Sequence, residues 1–159
     1  MIAWIALAAA HGSTFAEVPT IDVLTERSAA VVEGVVTVTD SVPCALGLCT
    51  TYTVSVSETW RGPEHELVRV TLPGGKRGGL TQRVAGLPLW SVGDEVLLFL
   101  DHLGRPTWTS VFTIQRSVDP PEGSRAIVFR ELADPVGRRH LTSVQELHAQ
   151  VIGAETTRP

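Results

Sequence analysis

The stretch Thr50-Thr-Tyr-Thr-Val-Ser-Val-Ser-Glu-Thr-Trp60 decides the fold class, because its side chains alternate in character. Tyr52, Val54, Val56 and Trp60 fall on one face by period two, and hydroxyl residues fall on the other. This alternation is typical of a half-buried antiparallel strand with one wet face. The segment therefore predicts an antiparallel sheet.

Further strands are predicted on both sides of this segment. Residues 30–38 form a strand in which Val32, Gly34, Val36 and Val38 share one face, and Gly34 indicates a bulge or bend. Residues 96–100, Val-Leu-Leu-Phe-Leu, are continuously apolar, which favours a central strand buried on both faces. Additional short strands are predicted at 68–72, 80–84, 107–117 and, last, 126–129.

Two short helices flank the strands. Thr20 caps a predicted helix at 21–28, and Ser143 caps a C-terminal helix with Glu146 as its capping-box partner. The strands do not alternate with helices, so the fold class is all-β with short flanking helices. The bend at Gly34 favours an OB-like Greek-key β-barrel of five to seven strands.

The N-terminus resembles a secretory signal peptide. The apolar run from Ile2 to Ala10 is too short to span a bilayer, and Thr14-Phe15-Ala16 is a small-x-small cleavage pattern. Cleavage after Ala10 is an alternative. No Lys or Arg precedes the apolar run, as a signal peptide usually requires, so a buried N-terminal helix is a further alternative. The predicted organisation is a signal peptide at 1–16, one barrel domain with its C-terminal helix at 17–153, and a flexible tail at 154–159.

Export implies a secreted, periplasmic or cell-envelope location, with no stable membrane span after signal removal. In such a compartment Cys44 and Cys49 are expected to form a disulfide across a short loop that contains Gly47. The alternative is half of a metal site. That site needs two more ligands, and no other His or Cys pair has suitable spacing, so no metal is predicted.

Composition and motifs argue against several functions. The net charge is −4, which gives no strong electrostatic case for a nucleic-acid or anionic-membrane partner. Aromatic residues make up 6%, which argues against a base-stacking surface, so no nucleic-acid partner is predicted. No serine lies in a nucleophile elbow, and the histidines are spread singly. Asp94 and Glu95 are neighbours in sequence and point to opposite faces of a strand. No catalytic residue, enzyme activity or cofactor is predicted.

One loop is a candidate binding site. In Pro73-Gly-Gly-Lys-Arg-Gly-Gly79 the glycines let backbone N–H groups approach a ligand, and two cations favour an anion. The alternative is a mobile hairpin tip kept soluble by its charges. Trp90 is either a core residue or, because it lies beside Pro88, a candidate exposed anchor. The candidate binding residues are Gly74, Gly75, Lys76, Arg77, Arg83 and Trp90.

Three segments resemble netrin-like domains. The run from Ser28 to Val36 is similar to their opening strand S-D-A-V-V-x-G-x-V. The pair Tyr52-Thr-Val-Ser-Val56 and Thr59-Trp-Arg-Gly62 is similar to Y-x-V-x-V…x-F-K-G, and the run from Val92 to Phe99 is similar to V-G-x-E-Y-L-L-F. These OB-fold modules include the tissue inhibitors of metalloproteinases. The resemblance covers about residues 24–117 and extends to uncharacterised exported bacterial proteins, in which Pro73-Gly-Gly75 and Gly86-Leu-Pro88 recur.

The resemblance implies an extracellular or periplasmic protein as partner, such as a protease. The inhibitors grip the protease zinc with an N-terminal Cys anchored by a disulfide, which neither Glu17 nor His11 reproduces. The expected function is an exported, non-enzymatic binding module. The alternatives are an enzyme or accessory subunit that uses the loop 73–79 with Arg83 and scattered carboxylates, and a structural envelope protein.

Overall fold

The computed structural model describes residues 19–115, 127–133 and 139–156. The signal peptide predicted at 1–16 lies outside these residues, as do 157–159. The described elements are, in chain order, α1 (Ile21–Arg27), β1 (Ala30–Cys44), β2 (Gly47–Arg61), β3 (Leu67–Pro73), β4 (Gly75–Arg77), β5 (Leu80–Gln82), β6 (Glu95–Leu100), β7 (Pro106–Gln115), β8 (Ile127–Ala133), β9 (Arg139–Ser143) and α2 (Val144–Thr156).

The strands form an antiparallel sheet with the order β3-β2-β1-β6-β7-β8-β9, and β4 and β5 form a separate hairpin. Strands β1, β2 and β3 follow one another as neighbours, and β6 returns to pair with β1, which is a Greek-key connection. The all-β class with short helices and the Greek-key order are thus confirmed. The continuous apolar strand β6 is central, as predicted.

The sheet does not close into a barrel. Strands β3 and β9 are its two ends, and no ladder joins them in the part of the chain that the structure describes. On the inner face, Trp90 packs with residues of β3 and β7 in one cluster. A side chain from the segment between β5 and β6 thus adds to the inner cluster. The prediction of a closed barrel is wrong, because β3 and β9 are not paired with each other in the described residues.

Hydrophobic clusters cover both faces of the sheet. The inner cluster consists of side chains on one face of β1, β2, β3, β6 and β7, and Trp90 completes it. The outer cluster lies on the other face and includes side chains of α1 and α2. Its members are Ile21, Leu24, Val31, Trp60, Leu97, Phe99, Phe112, Ile114, Leu147 and Val151.

Strand β6 divides its side chains between the two clusters. Val96, Leu98 and Leu100 belong to the inner cluster, and Leu97 and Phe99 belong to the outer cluster. All five are essentially inaccessible to solvent. Because successive residues of a strand point to opposite faces, a strand with two buried faces must be apolar throughout.

Irregular pairing between β1 and β2 changes which residues face inward. The register shifts between Val31 and Val32, between Glu33 and Gly34, and between Val36 and Val38. The bulge predicted at Gly34 is confirmed. The predicted common face is wrong at its end, since Val38 is 52% exposed beyond the last shift. Trp60 likewise lies in the outer cluster instead of sharing the face of Tyr52 and Val54.

Both predicted helix caps are present. The Thr20 hydroxyl accepts a hydrogen bond from the Val23 N–H at 3.4 Å. The Ser143 hydroxyl accepts from the Glu146 N–H at 3.1 Å, and the Glu146 carboxylate accepts from the Ser143 N–H at 3.3 Å, which completes a capping box. Helix α2 continues to Thr156, so residues 154–156, predicted as flexible tail, are helical.

Several strand boundaries differ from the prediction. Strands β1 and β2 are longer than expected because they continue to the disulfide hairpin. The segment predicted as the last strand, 126–129, is followed by β9, which alternation did not indicate. The predicted loop 73–79 contains β4, whose backbone pairs with β5 from Gly75–Gln82 to Arg77–Leu80.

The disulfide between Cys44 and Cys49 is confirmed and closes the β1–β2 hairpin, with Cα atoms 5.7 Å apart. Both thiols are used in this bond, so the alternative of half a metal site is excluded. Neither described helix has the length and apolarity that crossing a membrane requires.

We predict that Gly34→Ala lowers the free energy of unfolding by about 1–3 kcal/mol, because there is no room for a methyl group. A Cβ at Gly34 would overlap the Ser55 carbonyl oxygen and lie 2.7 Å from Val54 Cγ1. Gly153→Ala is the matched control, since its Cβ meets nothing within 4 Å and lies in a helix. Urea denaturation should show that the control is neutral or stabilising. Equal stability of the two variants would contradict the packing described for Gly34.

Candidate functional site

The β4–β5 hairpin packs against the inner face of the β1–β2 hairpin through small polar side chains. The Thr50 hydroxyl donates to the Gly74 carbonyl at 2.7 Å, and the Ser41 hydroxyl lies 2.8 Å from that of Thr50. The Lys76 N–H donates to the Ser41 hydroxyl at 3.3 Å. A Cβ at Gly75 would overlap the Thr50 hydroxyl, so the close approach of the two hairpins requires glycine there.

Gln82 fixes the tip of the β1–β2 hairpin. Its Oε1 accepts from the Leu48 N–H at 2.7 Å, and its Nε2 donates to the Leu46 carbonyl at 2.8 Å. Gly47 lies between these groups with φ of 102°, and a Cβ there would overlap the Gln82 amide. The Gln82 side chain therefore binds the backbone on both sides of Gly47. The Cys44–Cys49 disulfide joins the two strands on either side of this turn.

A cleft of about 190 Å³ opens between the two hairpins and the segment that leads into β6. Hydroxyl groups dominate its walls, and Lys76 is the one lining residue, among those described, with a charged side chain. The Thr39 and Ser91 hydroxyls and the Lys76 cation can donate hydrogen bonds to an oxygen, so this surface is suited to an anionic group. The lining residues are Thr39, Ser41, Thr50, Tyr52, Lys76, Leu89, Trp90, Ser91 and Val92.

Two aromatic rings form the inner wall of the cleft. Tyr52 and Trp90 meet edge to face with centroids 5.1 Å apart, a favourable arrangement for aromatic pairs. The Trp90 indole N–H donates to the Thr113 hydroxyl at 2.8 Å, which ties this wall to β7. The wall is therefore part of the inner core and does not depend on a bound ligand for its position.

Burial raises the pKa of the Tyr52 phenol above its usual value of 10.0. Hydrogen bonds to the Thr50 side chain and the Trp90 backbone oppose this rise, and the negative charge of Asp94 adds to it. The phenol is thus neutral at physiological pH. Asp94 itself accepts from the Ser91 N–H at 2.8 Å and shapes the predicted turn at the cleft margin.

The structure brings together only part of the predicted binding set. Lys76 lines the cleft, Gly75 forms the contact behind it, and Trp90 is part of the inner wall. Trp90 is only 5% exposed, so the prediction that it is an exposed anchor is wrong. Its contacts with Tyr52 and Thr113 come from strands distant in sequence, which the sequence did not reveal.

The remaining predicted residues have other positions. Gly74 is buried with φ of 101°, and its carbonyl accepts from Thr50. Arg77 is exposed and donates from its guanidinium to the Ser41 carbonyl at 3.3 Å, and Arg83 is exposed beyond β5. The loop thus contains a hairpin strand that hydrogen bonds join to β1. The described lining residues do not bring Lys76, Arg77 and Arg83 together with a carboxylate.

Sequence reasoning missed Gln82, Ser41, Thr50 and Tyr52 as parts of the site. Tyr52 lies on the predicted apolar face of β2, so its position predicts burial and not a role in a site. It is buried, and it also lines the cleft. A glutamine that follows a glycine-rich turn carries no recognisable motif. Its partner backbone groups lie more than 30 residues away in sequence.

A second, larger cavity of about 440 Å³ lies at the opposite end of the β2–β3 pair. It is acidic, with Glu58, Glu64 and Glu66 around His65. Glu58 lies 3.7 Å from His148 Nε2 on α2. The described residues contain no group of three or more His, Cys, Asp or Glu side chains arranged to hold a metal ion.

We predict that Gln82→Ala lowers the free energy of unfolding by about 1–2 kcal/mol, because it leaves Leu48 N–H and Leu46 carbonyl without their protein partner. Thr81→Ala is the control, since Thr81 is its exposed neighbour. The midpoint of urea unfolding should fall for the first variant and stay near that of the unmodified protein for the second. Indistinguishable midpoints would contradict the role assigned to Gln82.

Comparisons of the chain with protein-family models, with curated proteins and with solved structures find no match. The resemblance to netrin-like domains therefore stays a prediction.

Proposed function

We propose that the chain is an exported, non-enzymatic binding module that holds an acidic group of an extracellular protein in the cleft beside Lys76. The observation that carries the proposal is the lining of the cleft: one cationic residue among hydroxyls, backed by a rigid aromatic wall. A carboxylate in such a cleft gains charge-assisted hydrogen bonds, which are stronger than neutral ones.

The rigidity of the cleft supports a binding role. Hydrogen bonds, the Cys44–Cys49 disulfide and the Trp90 contact with Thr113 hold its walls in place. A preformed site loses less entropy when a ligand binds than a site that must first be ordered.

Two features support an extracellular partner. Disulfides persist in oxidising compartments, and the Cys44–Cys49 bond fits the signal peptide that the sequence predicts. The resemblance to the metalloproteinase inhibitors makes an exported protease the first partner to test. We propose that this module would contact such a protease through the cleft beside Lys76.

We expect Lys76→Glu to weaken partner binding by at least about tenfold, because it reverses the one charged side chain among the described residues that line the cleft. Arg69→Glu is the matched control, since Arg69 is an exposed cation on β3 that does not line the cleft. The measurement is affinity capture from the exported protein fraction at micromolar bait, followed by titration of the captured protein against each variant. Recovery of no partner, or equal affinity of both variants, would contradict the proposal.

A further inference from the structure

Two neighbouring turns at one end of the molecule each expose a leucine. Leu46, in the β1–β2 turn, is 56% exposed, and Leu80, at the start of β5, is 71% exposed. Gln82 connects the turns, because it bonds the backbone on both sides of Gly47 and lies two residues from Leu80. The exposed leucines are therefore held by ordered backbone on two adjacent hairpins.

Two arginines lie close to Leu80 in the β4–β5 hairpin and directly after it. Arg77 pairs with Leu80 across the β4–β5 hairpin, and Arg83 follows β5 directly. The sequence from 67 to 93 contains no Asp or Glu, although the whole chain has a net charge of −4. Asp40 is the one acidic residue between 37 and 57, and it lies four residues before Cys44. The segment 67–93 is therefore positively charged, although the whole chain is negatively charged.

We propose that this leucine tip, formed by Leu46, Leu80, Arg77 and Arg83, docks on the surface of an anionic phospholipid bilayer. Exposed apolar side chains insert into the boundary between headgroups and acyl chains, and nearby Lys and Arg side chains attract anionic headgroups. Both contributions are needed for stable attachment, since a small apolar anchor alone binds reversibly and weakly.

The shape of the leucine tip favours a bilayer over a peptide or a polyanion. Neither of the two cavities described above is lined by Leu46 or Leu80, and both side chains are more than half exposed. A peptide is usually recognised in a groove or along a strand edge. An acidic polysaccharide would bind the arginines and leave the two leucines exposed to water. The interface of a lipid bilayer would bind the arginines and also bury the leucines.

The test is co-sedimentation of the full chain with vesicles of phosphatidylcholine, alone or mixed with phosphatidylglycerol in roughly three-to-one proportion. We expect binding to the mixed vesicles that falls as salt is added. Leu46→Ser with Leu80→Ser should weaken it by at least about tenfold. Arg77→Glu with Arg83→Glu should remove the preference for phosphatidylglycerol.

Leu103→Ser is the matched control, because Leu103 is 61% exposed in the turn that follows β6, at the opposite end of β1. It should bind vesicles as the unmodified chain does. All variants share one N-terminus, so differences report on the leucine tip, and thermal melting confirms that each is folded. Unchanged vesicle binding by the double leucine variant would overturn the proposal, as would binding to dextran sulfate without binding to vesicles. The Lys76→Glu variant keeps the four tip residues, so failure here is distinguishable from failure of the proposed cleft.

Discussion

The burial of both faces of the β1–β6 pair is the constraint on which the rest of the structure depends. Val31 and Leu97 pack with the helices on one face, and Val32 and Leu98 pack inward on the other. Hydrophobic burial stabilises roughly in proportion to the apolar area removed from water. Two strands that are buried on both sides therefore contribute more to stability than an equal length of edge strand.

This arrangement also explains how the candidate site is placed. The same strand β1 that is buried at 30–36 continues past its register shifts as the outer part of the β1–β2 hairpin. The shifts turn its residues so that Thr39 and Ser41 face the cleft and Val38 faces solvent. The hairpin is thus rigidly attached at its base and is held at its tip by Gln82 and the disulfide. A binding surface needs this kind of support to keep its geometry without a ligand.

The sequence predicted the elements whose signal is local. Alternation located β2, a continuous apolar run located β6, capping residues located both helices, and cysteine spacing indicated the disulfide. The sequence did not predict features that arise from distant contacts. Trp90 is buried because Tyr52 and Thr113 approach it, and the sheet stays open while helices cover its outer face. The sequence predicted only part of the cleft, chiefly Lys76, because the hydroxyl residues that line the cleft form no recognisable motif.

Amide hydrogen exchange tests the central constraint most directly. If the doubly buried pair is the most stable part of the molecule, the amides that join β1 to β6 should exchange most slowly, close to the rate of global unfolding. The amides of the β4–β5 hairpin, which has exposed glycines at its turn, should exchange much faster. Exchange in β6 as fast as in β4 and β5 would contradict the account.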